Sequence, residues 1–107
     1  MSKNSAAITA VAKYVPEYVL TNQILETLVD TNDEWITSRT GIKERRILKE
    51  KGKGTSFLAI EAAKDLINKS NLNPLEIELV IVGTATRDMQ ASATAVYVAS
   101  QIEATNA

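Results

Sequence analysis

The chain has 107 residues, 45% of them hydrophobic and 23% charged, with a net charge of −1. That composition is globular rather than disordered, and the near-neutral balance supplies no field that would draw nucleic acid or an anionic membrane. Cys and His are both absent, which removes thiol nucleophiles, disulfides, imidazole bases and nearly every zinc or haem site from these residues.

The length suits one domain with a modest core. No apolar run approaches the roughly 20 residues of a membrane helix. The opening "MSKNSAAITAVAKYVP" lacks a long apolar stretch and a cleavage signature. No signal peptide is expected, and a cytoplasmic location follows by default.

Alternation of small and β-branched residues in "AAITAVAKYVP" predicts a strand over 7–14, ended near Pro16 because proline cannot donate to a ladder. "LTNQILETLVD" predicts a helix capped by Thr21 or Asn22, with Ile24, Leu25, Leu28 and Val29 along one stripe. "TNDEWITSRTG" predicts a second short helix. Asn32 caps it, Asp33 and Glu34 suit its first turn, and Gly41 takes the left-handed exit. "IKERRIL" (42–48) reads as a short strand or extended arm, and "KEKGKG" (49–54) as a polar loop.

A longer helix is expected from Thr55, with Leu58, Ala59, Ala62, Ala63, Leu66 and Ile67 at helical spacing until "NKSNLNP". "IELVIVGTAT" (77–86) is apolar on both faces, the pattern of a central strand covered on each side. "RDMQ" then forms a loop at that strand's carboxyl end, where open α/β sheets hold ligands. "ASATAVYVASQIEATNA" is small on almost every side, which predicts a helix buried between layers. A buried strand and helix with no further residues to cover them look like a fold cut part-way.

Three groups of residues are candidate sites. "EKGKGTS" (50–56) has glycines and a lysine, but Gly54 separates Lys53 from Thr55, so the Walker spacing fails and a solvated linker is expected. Trp35 and Arg39 are four apart and share a helix face. An indole beside a guanidinium can take a flat aromatic ring and an anion together, such as an adenine and its phosphates, with stacking worth ~1–3 kcal/mol. Spacing alone favours a plainer arrangement, a half-buried Trp35 with Arg39 at the helix carboxyl end. Arg45 and Arg46 would point to opposite faces of a strand, one paired with Glu44 or another carboxylate and the other open to an anion.

The run "YVPEYVLTN…LVDTNDEWITSRTGIKERRI", followed by an "A-x-x-A" helix and a "V-x-G-T" strand, resembles the type-III β-ketoacyl-acyl carrier protein synthases, members of the thiolase-fold condensing enzymes. The resemblance implies an α/β fold, a mixed sheet with helices on both faces. Residues 1–107 would be the amino-terminal portion of its first thiolase-like domain. The family's catalytic Cys, His and Asn would lie beyond Ala107, so this stretch alone could not be acylated. By the same resemblance Trp35 stacks on the adenine of coenzyme A, Arg39 contacts its phosphates and Thr31 assists at the adenine.

The family reaction condenses an acyl-coenzyme A primer with malonyl-acyl carrier protein, releasing carbon dioxide and starting fatty-acid synthesis. Coenzyme A thioester enters as substrate, no cofactor or metal is held permanently, and the complete protein is a homodimer. In the family the loop at "RDMQASATA" (87–95) borders the acyl pocket at the dimer edge, which assigns Met89, Ala91 and Ser92 here. Ala91 and Ser92 replace a common aromatic-proline pair. That either leaves room for a longer or branched primer or repacks the loop without changing substrate. Alternatives are an initiating synthase of polyketide or quinolone pathways, or a non-catalytic module binding coenzyme A or a partner.

Overall fold

The computed structural model describes residues 4–107; the first three residues of the leader reading lie outside the described residues. In chain order the elements are β1 (Tyr18–Thr21), α1 (Asn22–Glu26), α2 (Asp33–Thr40), β2 (Glu44–Ile47), α3 (Thr55–Ser70), a 3₁₀ turn (Pro74–Glu76) and α4 (Thr94–Gln101). They form two compact units. One is Val15–Gly52; the other joins the described residues up to Tyr14 with Lys53–Ala107.

In the Val15–Gly52 unit, β1 and β2 pair antiparallel, with Tyr18 opposite Ile47 and Thr21 opposite Glu44. The arm expected at 42–48 is thus a strand, whereas β1 was not anticipated. Pro16 lies two residues before β1 rather than within it, so every ladder N–H of Tyr18–Thr21 is retained. Thr21 is the cap of α1, its Oγ1 accepting from Ile24 N at 3.3 Å. The helix is shorter than its apolar stripe suggested. Leu28 N and Val29 N both donate to Leu25 O, and Thr27 Oγ1 donates back to Ile24 O at 2.7 Å, which closes the last turn early. Leu28 and Val29 are left 65% and 54% exposed, not buried on a stripe.

In the other unit, α3 starts at Thr55 as expected and ends on Asn71, which takes the left-handed conformation at φ 54° and donates to Ile67 O. α3 packs on α4, and Ile60, Val98, Ile102 and Ala104 are buried. Two expected strands are absent. Residues 7–14 and 77–86 carry no ladder, and the only sheet among the described residues is β1–β2. Ile8, Val11, Leu79 and Ile81 are 71% to 88% exposed. Alternation and β-branching favour extended backbone, but a strand forms only against a partner edge, and neither segment has one. α4 is likewise buried on one face only: Val98 is enclosed while Val96 and Tyr97 face solvent. Among the described residues no helix is long and apolar enough to cross a membrane.

Candidate functional site

α2 is built by its own sequence. Asn32 Oδ1 accepts from Trp35 N at 2.8 Å, Asp33 and Glu34 lie in the first turn, and Gly41 closes the helix at φ 71° with its N–H on Thr37 O. The helix presents Trp35 53% exposed, with Arg39 Cζ 4.8 Å from the ring centroid. Asp30, Thr31, Asn32 and Trp35 line a shallow depression of about 230 Å³. Thr31, Trp35 and Arg39 are therefore brought together. The plainer arrangement favoured by spacing is present as well: the ring is about half exposed and Arg39 lies in the last turn of α2. An indole carrying a guanidinium over its ring and open to water can receive a second planar group, with a cation beside it for an anion.

Beneath this platform lies Asn22, fully buried. Its Nδ2 donates to Asp33 Oδ1 at 2.7 Å and Ile42 O at 2.8 Å, and lies 3.5 Å from Thr37 Oγ1. Its Oδ1 accepts from Arg45 Nη2 at 2.8 Å. The amide can face only this way, because Arg45 has donors alone while an ionised Asp33 and the Ile42 carbonyl have acceptors alone. Arg45 Nη1 also donates to Leu20 O at 3.4 Å. Arg46 Nη1, on the other face of β2, donates to Pro16 O at 3.1 Å and Glu17 O at 3.4 Å. The carboxylate pairing expected for one of these arginines is replaced by carbonyl and amide partners.

In the other unit, the loop 87–95 is tied to the start of α3. Asp88 Oδ2 accepts from Ser56 N at 2.9 Å, and Thr55 Oγ1 donates to Thr86 O at 2.6 Å. A Cβ on Gly54 would meet the Asp88 carboxylate, its Cγ 2.9 Å away, so a side chain there would push this carboxylate aside. The helix N-terminus in "EKGKGTS" thus already holds a carboxylate of the chain itself. Met89 is about half exposed and its Sδ accepts from Ser92 Oγ at 3.7 Å. Ala91 and Ser92 line a depression of about 350 Å³ with Val82, Thr84 and Arg87.

Hydrogen bonding from Ser56, opposed by partial desolvation, and backbone donation from Ser56 and Thr55 together hold the Asp88 carboxyl below its ordinary 3.8. A depressed carboxylate stabilises the fold above its unfolded pKa, and that stabilisation is lost as pH falls through the folded value. Acid unfolding below about pH 4 is expected to be less steep in Asp88→Asn than in the parent chain, as followed by circular dichroism against pH. An identical acid limb in both would show that this cap carries no pH-dependent stability.

No protein-family model matches the chain, but individual proteins do. β-Ketoacyl-[acyl-carrier-protein] synthase III of Chlorobaculum tepidum is 52% identical over 102 residues, covering 95% of this chain and 31% of its own length. The synthase III of Phocaeicola vulgatus is 50% identical over 107 residues, covering 100% and 32%. The crystal structure of 3-oxoacyl-[acyl-carrier-protein] synthase III from Aquifex aeolicus superposes with a TM-score of 0.82 at 46% identity, covering 90% of this chain and 30% of that one. The chain belongs to the β-ketoacyl-[acyl-carrier-protein] synthase III family. It spans about a third of the length of the curated synthases it matches. Its fold is the thiolase-like α/β arrangement expected from the motifs. The priming β-ketosynthase of the R1128 polyketide pathway shares it, with a TM-score of 0.82 at 31% identity, covering 91% of this chain and 29% of that one.

Two residues of this synthase segment escaped sequence reasoning. Asn22 had been one of two possible helix caps, and only the structure shows that Thr21 caps α1 and frees the amide. The available signal was a short polar step, Thr21 to Gln23, inside the apolar run "YVLTNQIL". Asp88 had been part of an undifferentiated loop, and no local pattern announces a cap reaching a helix 32 residues earlier.

Proposed function

We propose that this synthase III segment forms the coenzyme A entrance of a condensing acyltransferase that joins an acyl-coenzyme A primer to malonyl-acyl carrier protein. The observation that carries this reading is the solvent-facing Trp35 ring with Arg39 beside it, above a depression bordered by Thr31. The adenine stacks on the indole, the phosphates meet the guanidinium, and the Thr31 hydroxyl hydrogen-bonds at the adenine edge. Trp35 and Arg39 thereby hold the thioester for transfer to a cysteine thiolate, decarboxylation of the extender and carbon–carbon bond formation. Cys and His are absent from these residues, so in this reading the nucleophile and its partners come from residues outside this sequence. The complete enzyme is read as a cytoplasmic homodimer of which these residues are the amino-terminal portion of the first domain.

A second reading, priming of a polyketide pathway, is favoured by the similarity to the R1128 priming synthase. Both readings share the coenzyme A entrance and differ in primer. Met89, Ala91 and Ser92 are assigned to the acyl pocket edge, where two small residues leave space for a primer longer or more branched than acetyl. Comparing turnover of acetyl-, butyryl- and branched acyl-coenzyme A by the complete enzyme separates these cases.

In the complete synthase, Trp35→Ala is expected to weaken coenzyme A binding roughly tenfold or more, because base stacking contributes ~1–3 kcal/mol. Titration calorimetry reads this directly. Unchanged affinity in a folded variant would remove the adenine from Trp35.

A further inference from the structure

We infer that Asn22 is a positioning residue for the coenzyme A platform: its buried amide locks the back of α2 so that Trp35 and Arg39 are held in register on the front. The inference rests on the coenzyme A reading of Trp35 and Arg39. Asp33 and Thr37 are one helical turn apart and share the face turned to Asn22, with Thr37 Oγ1 donating to Asp33 Oδ1 at 3.2 Å. Trp35 and Arg39 are also one turn apart, displaced from that face by two residues, or about 200° around the helix. One side chain fixes both ends of α2. Asn22 Nδ2 holds the first turn through Asp33 and the exit through Ile42 O, just past the Gly41 cap. Arg45 Nη2 on Asn22 Oδ1 fastens the same amide to β2.

The burial supports a positional role. A fully buried amide is retained at a cost unless all its hydrogen bonds are made, and here each polar atom of Asn22 is satisfied. The front of the helix has no comparable anchor: Arg39 and Trp35 are exposed and touch each other. Their placement against a ligand therefore depends on the back. A displacement of about 1 Å in a group that orients a substrate is sufficient to cost large factors in rate or affinity.

The test is a charge-swap cycle in the complete synthase, with coenzyme A as the probe and acyl-coenzyme A kinetics as the second readout. Asn22→Asp sets a carboxylate against Asp33 and removes the donors to Asp33 and Ile42 O. It is expected to raise Kd for coenzyme A, and KM for the acyl-coenzyme A, by roughly tenfold, with kcat at saturation within about twofold. Asp33→Asn keeps an acceptor for the Asn22 amide and is expected to change both by less than about threefold. Adding Asp33→Asn to Asn22→Asp lets the introduced amide donate to the introduced carboxylate, which also pairs with Arg45. The double variant regains the first-turn contact but not the donor to Ile42 O, so it is expected to recover part of the loss, and this still reads if Asn22→Asp alone does not fold. A purely structural role would lower kcat with the active fraction and leave KM unchanged; that pattern, or a double variant no better than Asn22→Asp, overturns the proposal. If Trp35→Ala weakens coenzyme A while a folded Asn22→Asp does not, the positioning role alone is lost. If Trp35→Ala is also without effect, the coenzyme A reading falls first.

Discussion

Replacing Asn22 with Leu is expected to destabilise the protein by about 1–3 kcal/mol, the range for leaving the partners of a buried hydrogen-bonding group unsatisfied. Leu keeps the branching of Asn but is bulkier, so overpacking adds to the loss of hydrogen bonds. It strands the Asp33 carboxylate, the Ile42 carbonyl and one side of the Arg45 guanidinium, all previously met by a residue with no exposed surface. Asp33 retains Thr37 Oγ1 at 3.2 Å, and Arg45 retains the longer bond to Leu20 O. Both fallbacks are weaker, which keeps the expected cost below that of fully orphaned charges. Denaturant unfolding gives the magnitude, and hydrogen exchange locates the loss, which is expected within Val15–Gly52. A change under 1 kcal/mol would mean that water replaces the amide freely and that the network is not a buried one.

Ile60→Ala is expected to cost about 2–5 kcal/mol through lost burial and the cavity left behind. Ile60 is 7% exposed on α3, the longest helix, which packs on α4, where Val98 is 2% exposed. Few side chains in this unit are so enclosed, because Leu79, Ile81 and Val96 lie open to solvent. A small core gives each enclosed methyl group a large share of the total. Ile60→Val, by contrast, is expected to cost about 0.5–1.5 kcal/mol, and the pair distinguishes a graded cavity effect from a helix-propensity effect. Equal losses from the two would contradict burial as the cause.

Apart from the strand within 42–48, the element readings that survived are those fixed within one turn of chain. The Asn32 cap, the acidic first turn and the Gly41 exit of α2 each depend on neighbours no more than four residues away, and all are present. The same holds for the start of α3 at Thr55 and its end before Pro74. The expected strands over 7–14 and 77–86 failed because a strand is completed by a remote edge that local alternation cannot supply. β1 was overlooked for the converse reason: "YVLT" pairs with "ERRI" across 22 intervening residues. At the site, Trp35 and Arg39 were legible as a helical pair, and the motif supplied Thr31. Asn22 was not, because its partners come from α2, β2 and the chain between them.

The open segment after Glu76 also bears on how this polypeptide behaves in a crowded solution. "LVIV" (79–82) is β-prone, uncharged and free of proline, and Leu79 and Ile81 are largely exposed. Such a ribbon with unsatisfied edges is the raw material of intermolecular stacking. Charged residues flank it: Glu76 and Glu78 before, Arg87 and Asp88 after. They act as gatekeepers that discourage like ribbons from aligning in register. Added salt, which screens the repulsion between neighbouring ribbons, is expected to favour their association, as light scattering against ionic strength would show.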